Sequence, residues 1–250
     1  MIAAIALREL RTLFLSPLAW TLLAVLQLIM AYLFLAQLDT FLMWQPRLAG
    51  MEGAPGVTEV VATPLLRTAG FLLLLITPAI TMRVFAEERR AGTLPLLLSS
   101  PAGMAEIVLG KFLGVLAFFW LLLAMLALMP LSLSLGTSLD LGRLAAGLLG
   151  LALLVAAMSA IGLYFSLLTE QPVVAAVSTL GALILLWIID WSGGARAEVS
   201  GLFRYLSLQT HLDSFLKGLF SSADLAYYLL LAITFLVLAT RRLDEQRLTG

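Results

Sequence analysis

Cysteine is absent from the 250 residues, histidine occurs once, and charged residues amount to only 12%. Without cysteine there is no disulfide framework and no thiolate metal site. A single histidine, His211, leaves no material for a Ser-His-Asp or His-Glu-x-x-His centre, and a metal site needs several converging ligands. The scarcity of charge, about half the usual share of roughly a quarter, goes with 62% hydrophobic residues and a mean hydropathy of +1.05. Such a chain cannot hide its apolar surface in water, so a bilayer is the expected solvent. Fifteen basic and fifteen acidic residues cancel, which gives no bulk attraction to a polyanion and argues against nucleic acid as a partner.

Two sources of energy are also missing. Gly110-Lys111 is followed by Phe112, and position 105 is alanine where a phosphate-binding loop needs glycine, so the chain has no such ATPase motif. The apolar stretches carry no carboxylate in their central turns, which disfavours proton coupling. No cofactor or metal is expected on this chain. Nor is a cleavable leader apparent, since the first long apolar run begins near Leu18 and lacks a small-x-small site.

What remains is a set of long apolar runs divided by charge. A crossing helix needs about 20 residues, and six runs qualify, giving predicted transmembrane helices over 18–38, 64–85, 112–135, 144–169, 171–190 and 224–241 in a single all-α membrane domain, 1–250. Continuous runs exclude the alternating ten-residue segments of a barrel. With both termini on one side, that side holds Arg8, Arg11, Arg83, Arg89, Arg90, Lys111, Arg241, Arg242 and Arg247. The other holds Arg47, Arg67, Arg143, Arg196, Arg204 and Lys217, mostly in longer loops. The bias places both termini in the cytoplasm. Trp20, Trp187 and Trp191 fall at span ends, as interfacial belts require.

Three elements lie outside the spans. Residues 1–16 read as an amphipathic interfacial helix, with Arg8, Arg11 and Thr12 on one face, broken by Ser16-Pro17; a simple basic flank is the plainer reading. Residues 86–106 read as a cytoplasmic docking loop. Pairs Arg83–Glu87 and Glu87–Arg90 let span two continue as a charged helix, Gly92 permits a break, Leu94–Leu98 need cover, and Ser100-Pro101 starts the next helix. An ordinary positive loop would satisfy the same charges. Residues 202–220 carry Leu208, Leu212, Phe215, Leu216, Leu219 and Phe220 at helical spacing, with Asp213 and Lys217 paired, as a helix that does not cross. His211 and Phe215 there are candidates for an outer gate.

Within the spans, Gln27, Thr77, Pro78 and Thr81 are candidates for a translocation path, against the plainer reading as helix contacts. Gly110 and Gly114 make a G-x-x-x-G step that permits close helix approach.

The stretch TPAITMRVFAEERRAGTLPLLLSSP at 77–101, followed by EIVLGK at 106–111, resembles the signature of ABC transporter permeases of the type-2 exporter class. HLDSFLKGLFSSADLAYY at 211–228 is similar to the corresponding segment of the gliding-motility and copper-processing branch. The resemblance covers nearly the whole chain. It implies an elbow helix, six spans, a coupling helix between spans two and three, and a re-entrant or interfacial outer helix before span six. It further implies a dimer, with itself or a related permease, in the inner membrane. Two separate ATPase subunits would hold ATP and magnesium and dock on Glu87, Glu88, Arg89, Arg90, Gly92 and Thr93. A stand-alone channel or carrier and a membrane scaffold for an assembly machine are the competing readings.

Overall fold

The computed structural model describes residues 1–48, 56–95, 102–190 and 203–249. All secondary structure among these is helical: α1 (Ile2–Leu15), α2 (Pro17–Leu48), a π turn (Thr58–Ala62) leading into α3 (Thr63–Thr81), α4 (Arg83–Arg90), α5 (Met104–Ser132), α6 (Leu141–Leu168), α7 (Pro172–Ile188), α8 (Leu208–Leu216) and α9 (Ser222–Thr249). Five stretches are long and apolar enough to cross a membrane: Pro17–Gln45, Thr58–Arg90, Met104–Leu135, Leu141–Leu168 and Ser222–Arg247. α7 has 17 residues and is shorter.

α6 is the axis of the bundle. It touches α3, α5, α7, α8 and α9, and its inner face is closed around Leu151, Leu154, Val155, Met158 and Ile161, all fully buried. Glycines let its neighbours approach: a Cβ at Gly150 would lie 2.7 Å from that of Phe215, and one at Gly147 would lie 2.7 Å from Leu66 Cδ1.

Polar contacts define the two ends of the bundle. At one end, Arg89 of α4 donates to the Leu167 carbonyl at the close of α6. At the other, Arg143 at the start of α6 donates to the Leu216 carbonyl of α8, and Thr58 Oγ1 accepts from the Asp140 N–H. α7 starts beside the first end, after Glu170, and finishes near the second, where Asp190 accepts from Thr210 of α8. Its 17 residues follow α6 over only part of that helix's 28. α9 leaves the α8 end through the His211–Asp224 contact and returns toward the α4 end.

Several expectations are corrected. Asp213 pairs with Arg67 of α3 at 2.8 Å, not with Lys217, which caps the end of α8 and is exposed. α8 stops because Gly218 takes φ +79, with its N–H on the Phe215 carbonyl and that of Leu219 on Ser214. Leu219 and Phe220 thus fall beyond the helix and are 61% and 66% exposed. Among the described residues neither the Arg83–Glu87 nor the Glu87–Arg90 pair forms; Arg83 reaches Ser16 Oγ. α5 begins at Met104, where the Glu106 carboxylate accepts from the Gly103 N–H at 3.1 Å. Ser100-Pro101, Leu96–Leu98, Trp191 and Leu202 lie outside the described residues.

Candidate functional site

The helix of span two does not stop at the membrane-sized limit. Thr58–Arg90 has 33 residues, about 50 Å at 1.5 Å each against a core of about 30 Å. It bends once, at Met82 between α3 and α4. Pro78, which has no N–H to donate, lies one turn earlier. The bend itself is made by Ser166 of α6. Its Oγ accepts from the N–H groups of Phe85 and Ala86, both at 3.0 Å, and donates to the Met82 carbonyl at 3.1 Å. Ala86 N–H and Met82 C=O pair directly in an uninterrupted helix, so the hydroxyl is inserted into the ladder. One turn back on α6, Gly162 has no room for a side chain, since a Cβ there would sit 2.1 Å from Thr81 Oγ1. Gly162 and Ser166 together bring α3 against α6 and hold the bend.

α4 is fastened on its other side by Lys111. The side chain is 3% exposed, and its ammonium meets Glu88 Oε1 at 2.8 Å, the Val84 carbonyl at 2.8 Å and Glu9 Oε2 at 3.0 Å. An ammonium has three N–H groups and all three are used. Phe85 lies beneath, with its ring centroid 5.0 Å from Nζ. Glu9 belongs to α1, which lies across the first turns of α5. A Cβ at Gly110 would be 2.7 Å from Ile5 Cβ, and one at Gly114 would be 2.8 Å from the Ala6 carbonyl. The G-x-x-x-G step is therefore the seat of α1, and α1, α4 and α5 meet at one buried cation.

These contacts sort the predicted docking residues. Glu88 and Arg89 are half-buried and tied inward, Glu88 to Lys111 and Arg89 to the Leu167 carbonyl at 3.0 Å and to Glu170 at 3.6 Å. Glu87, Arg90, Gly92 and Thr93 are exposed. Gly92 takes φ +68, closing α4 with its N–H on Arg89 O and the Thr93 N–H on Glu88 O. α4 thus presents one charged face outward from a rigid mount.

The predicted path residues all engage neighbours within the chain. Gln27 donates to the Leu122 carbonyl of α5 at 3.1 Å. Thr77, Pro78 and Thr81 are buried, and the threonine hydroxyls return to Leu73 and Thr77 carbonyls of their own helix.

At the α8 end, His211 and Phe215 are buried. His211 Nε2 lies 2.8 Å from the Tyr205 carbonyl, which only accepts, so Nε2 carries hydrogen. Nδ1 is 2.5 Å from Asp224 Oδ1, and the two must share a proton. Tyr227 stacks on the imidazole at 4.0 Å, and Tyr228 Oη donates to the Leu208 carbonyl. α8 is locked to α9 by this cluster and to α6 by Phe215.

With the geometry in place, comparison with known proteins is decisive at one level. The family model described as ABC-2 family transporter protein matches residues 3–247, from the first turn of α1 almost to the end of α9. The chain belongs to the ABC-2 transporter family. It is a multi-pass membrane protein and the transmembrane component of an ABC transporter, a family that works with an ABC ATPase partner. No curated protein matches the chain. The permease has four further residues of structural consequence: Glu9, Lys111, Ser166 and Asp224. Sequence patterning read Lys111 as a flanking charge, and nothing in it sets Ser166 apart from the other serines of the apolar runs. Glu9, three positions from Thr12 in an apolar helix, carried the one available signal, a carboxylate opposite two arginines.

Proposed function

We propose that the chain is the permease of an ATP-driven exporter, and that a separate ATPase docks on the outward face of α4 at Glu87, Arg90, Gly92 and Thr93. The observation that carries this reading is the mount of α4. It is continuous with α3 through one bend and gripped by Ser166, Lys111 and Arg89, so force applied to its exposed face passes into α3, α5 and α1 together. Glu88 and Arg89 act in this reading as the transmission, inside the contact. Gln27, Thr77, Pro78 and Thr81 shape the hinge beside the path.

In the same reading α7 is the sixth crossing, both termini are cytoplasmic, and α1 lies in the inner-membrane interface. A second permease copy meets α2. On that helix Tyr32, in mid-span, is 70% exposed. A phenol hydroxyl facing hydrocarbon lacks partners, whereas a protein surface or a path supplies them. His211 and Phe215 hold α8 as the outer cover.

The test is purification of the tagged chain from its native membrane in mild detergent. An ATPase is expected at near-equal amounts with the unaltered protein, and is expected to be lost from Glu87→Lys/Arg90→Glu while that variant keeps its thermal midpoint. Purification without any ATPase contradicts the proposal.

A further inference from the structure

Contacts along α6 fix the depth at which α8 sits. α6 carries no charge between Arg143 and Glu170. The 23 positions from Arg143 to Ser166 make about 35 Å, a little over a core of about 30 Å. With Ser166 holding the bend of span two at one end, Arg143 marks the membrane plane at the other. Phe215 of α8 packs on Gly150, seven positions further in along α6, about 10 Å. Leu212 packs on Gly70 of α3, where Leu151 of α6 also arrives. α7 gives the same depth independently. Asp190, which accepts from Thr210 of α8, is 20 positions past Glu170, whereas Arg143 is 27 positions before it, so α7 ends about 10 Å short of the plane. Only beyond α8, at Gly218, does the chain come back to Arg143.

At that depth α8 carries a charge pair. Asp213 Oδ1 accepts from Arg67 Nη2 at 2.8 Å, and the side chains are 30% and 51% exposed. The arginine is not reaching up to headgroups. Its partner follows Leu212, which fills the space at Gly70, three positions further in than Arg67. Among the described residues the guanidinium spends one of its five N–H groups within the chain, and Asp213 Oδ2 accepts none. Hydrocarbon offers no partner to the remaining donors or to that oxygen. A covering protein would have to strip water from a pair whose charges already satisfy each other. Water meets the open valences without that cost.

We infer that Arg67 and Asp213 line a water-filled recess that opens at the α8 end and reaches about 10 Å into the membrane, admitting water and hydrophilic solutes and excluding acyl chains. The paired charges give it no preference of sign. That the recess faces outward rests on the membrane orientation proposed above; it does not depend on ATPase docking.

The chain has no cysteine, so an introduced thiol is the only one. Three single variants are compared in spheroplasts and in inside-out vesicles of the native membrane. Ser214→Cys lies beside Asp213, Leu230→Cys lies on the exposed apolar face of α9, eight positions past its start, and Leu135→Cys is placed where the chain is 93% exposed, just past α5. The probes are membrane-impermeant cationic and anionic methanethiosulfonates, which react with the thiolate, and a thiolate forms only where water reaches it. Ser214→Cys is expected to react at about the rate of Leu135→Cys and about a hundredfold faster than Leu230→Cys, the scale on which an apolar surrounding suppresses a thiolate. In the Ser214→Cys chain, adding Arg67→Gln is expected to raise the cationic-to-anionic rate ratio about fivefold, and adding Asp213→Asn to lower it about fivefold, the effect of one charge about 8 Å away in water. Leu135→Cys reports the side: if it reacts only in inside-out vesicles, the orientation is reversed, and the recess is decided there by the same comparison. Labelling of Ser214→Cys no faster than that of Leu230→Cys overturns the recess, and a charge ratio unchanged in both double variants overturns its lining by the pair.

Discussion

Lys111 and Glu88 stand 23 positions apart, yet the ammonium of one lies 2.8 Å from the carboxylate of the other where α5 passes beside α4. The pair is shielded, with Lys111 3% and Glu88 21% exposed, and Glu9 completes it from α1. A cation there does what a methyl group cannot: it fixes three helices to one point and to one relative rotation.

Removing that cation leaves two carboxylates facing each other. Lys111→Met is expected to destabilise the permease by about 3 kcal/mol, the scale for breaking a shielded pair from one side. Scanning calorimetry in detergent checks this, and adding Glu9→Gln and Glu88→Gln should recover much of the lost midpoint because the stranded charges are gone.

The bend at Met82 depends on Ser166 in the same way. Ser166→Ala leaves the Phe85 and Ala86 N–H groups without their acceptor, at about 1–3 kcal/mol. Hydrogen exchange should quicken in the peptide spanning α4 and stay unchanged in α9. Gly162→Ala is expected to be worse still, because its Cβ would enter the space of Thr81 Oγ1 and Cβ, and Thr81→Ala in the same chain should give back part of the loss.

At the far end, His211 and Asp224 hold one proton between two buried groups. A double-mutant cycle with His211→Gln and Asp224→Asn, read by thermal midpoint, should return a coupling of about 1–3 kcal/mol. A coupling near zero would show that the aromatic stack, not the shared proton, joins α8 to α9.

Much of this architecture is legible in the sequence because the bilayer imposes it. Apolar runs between charges mark the helices, and Gly92 marks one of their ends because it takes a positive φ, whereas Gly218 ends α8 inside the stretch 202–220 that reads as one helix. The runs mislead in one respect: α7 begins only at Pro172 and its α-helical part ends at Ile188, passing into a 3₁₀ stretch at Ile189 and Asp190, so it is shorter than its apolar stretch implies. The site is only half legible. The charge run at 87–90 announces a special loop, but charge alone does not separate Glu87 and Arg90, which face outward, from Glu88 and Arg89, which face in. That division is made by partners 78 and 23 residues away, Leu167 and Lys111. No periodicity connects Ser166 with Phe85 either; a lone serine near the end of an apolar helix has the same pattern whether it bonds its own turn or a neighbour's ladder. Local helix pairing fails as a guide where a tertiary partner is better placed, as Arg67 is for Asp213.

The measurement that tests the account most directly is site-specific photocrosslinking from α4 in native membranes, with the photoreactive side chain placed in turn at Glu87, Arg90 and Thr93, and at Trp20 and Phe220 as exposed controls. The account predicts adducts with an ATPase subunit from Glu87, Arg90 and Thr93 and none from the controls. Adducts lacking any ATPase at all three positions, or ATPase adducts only from the controls, would contradict it.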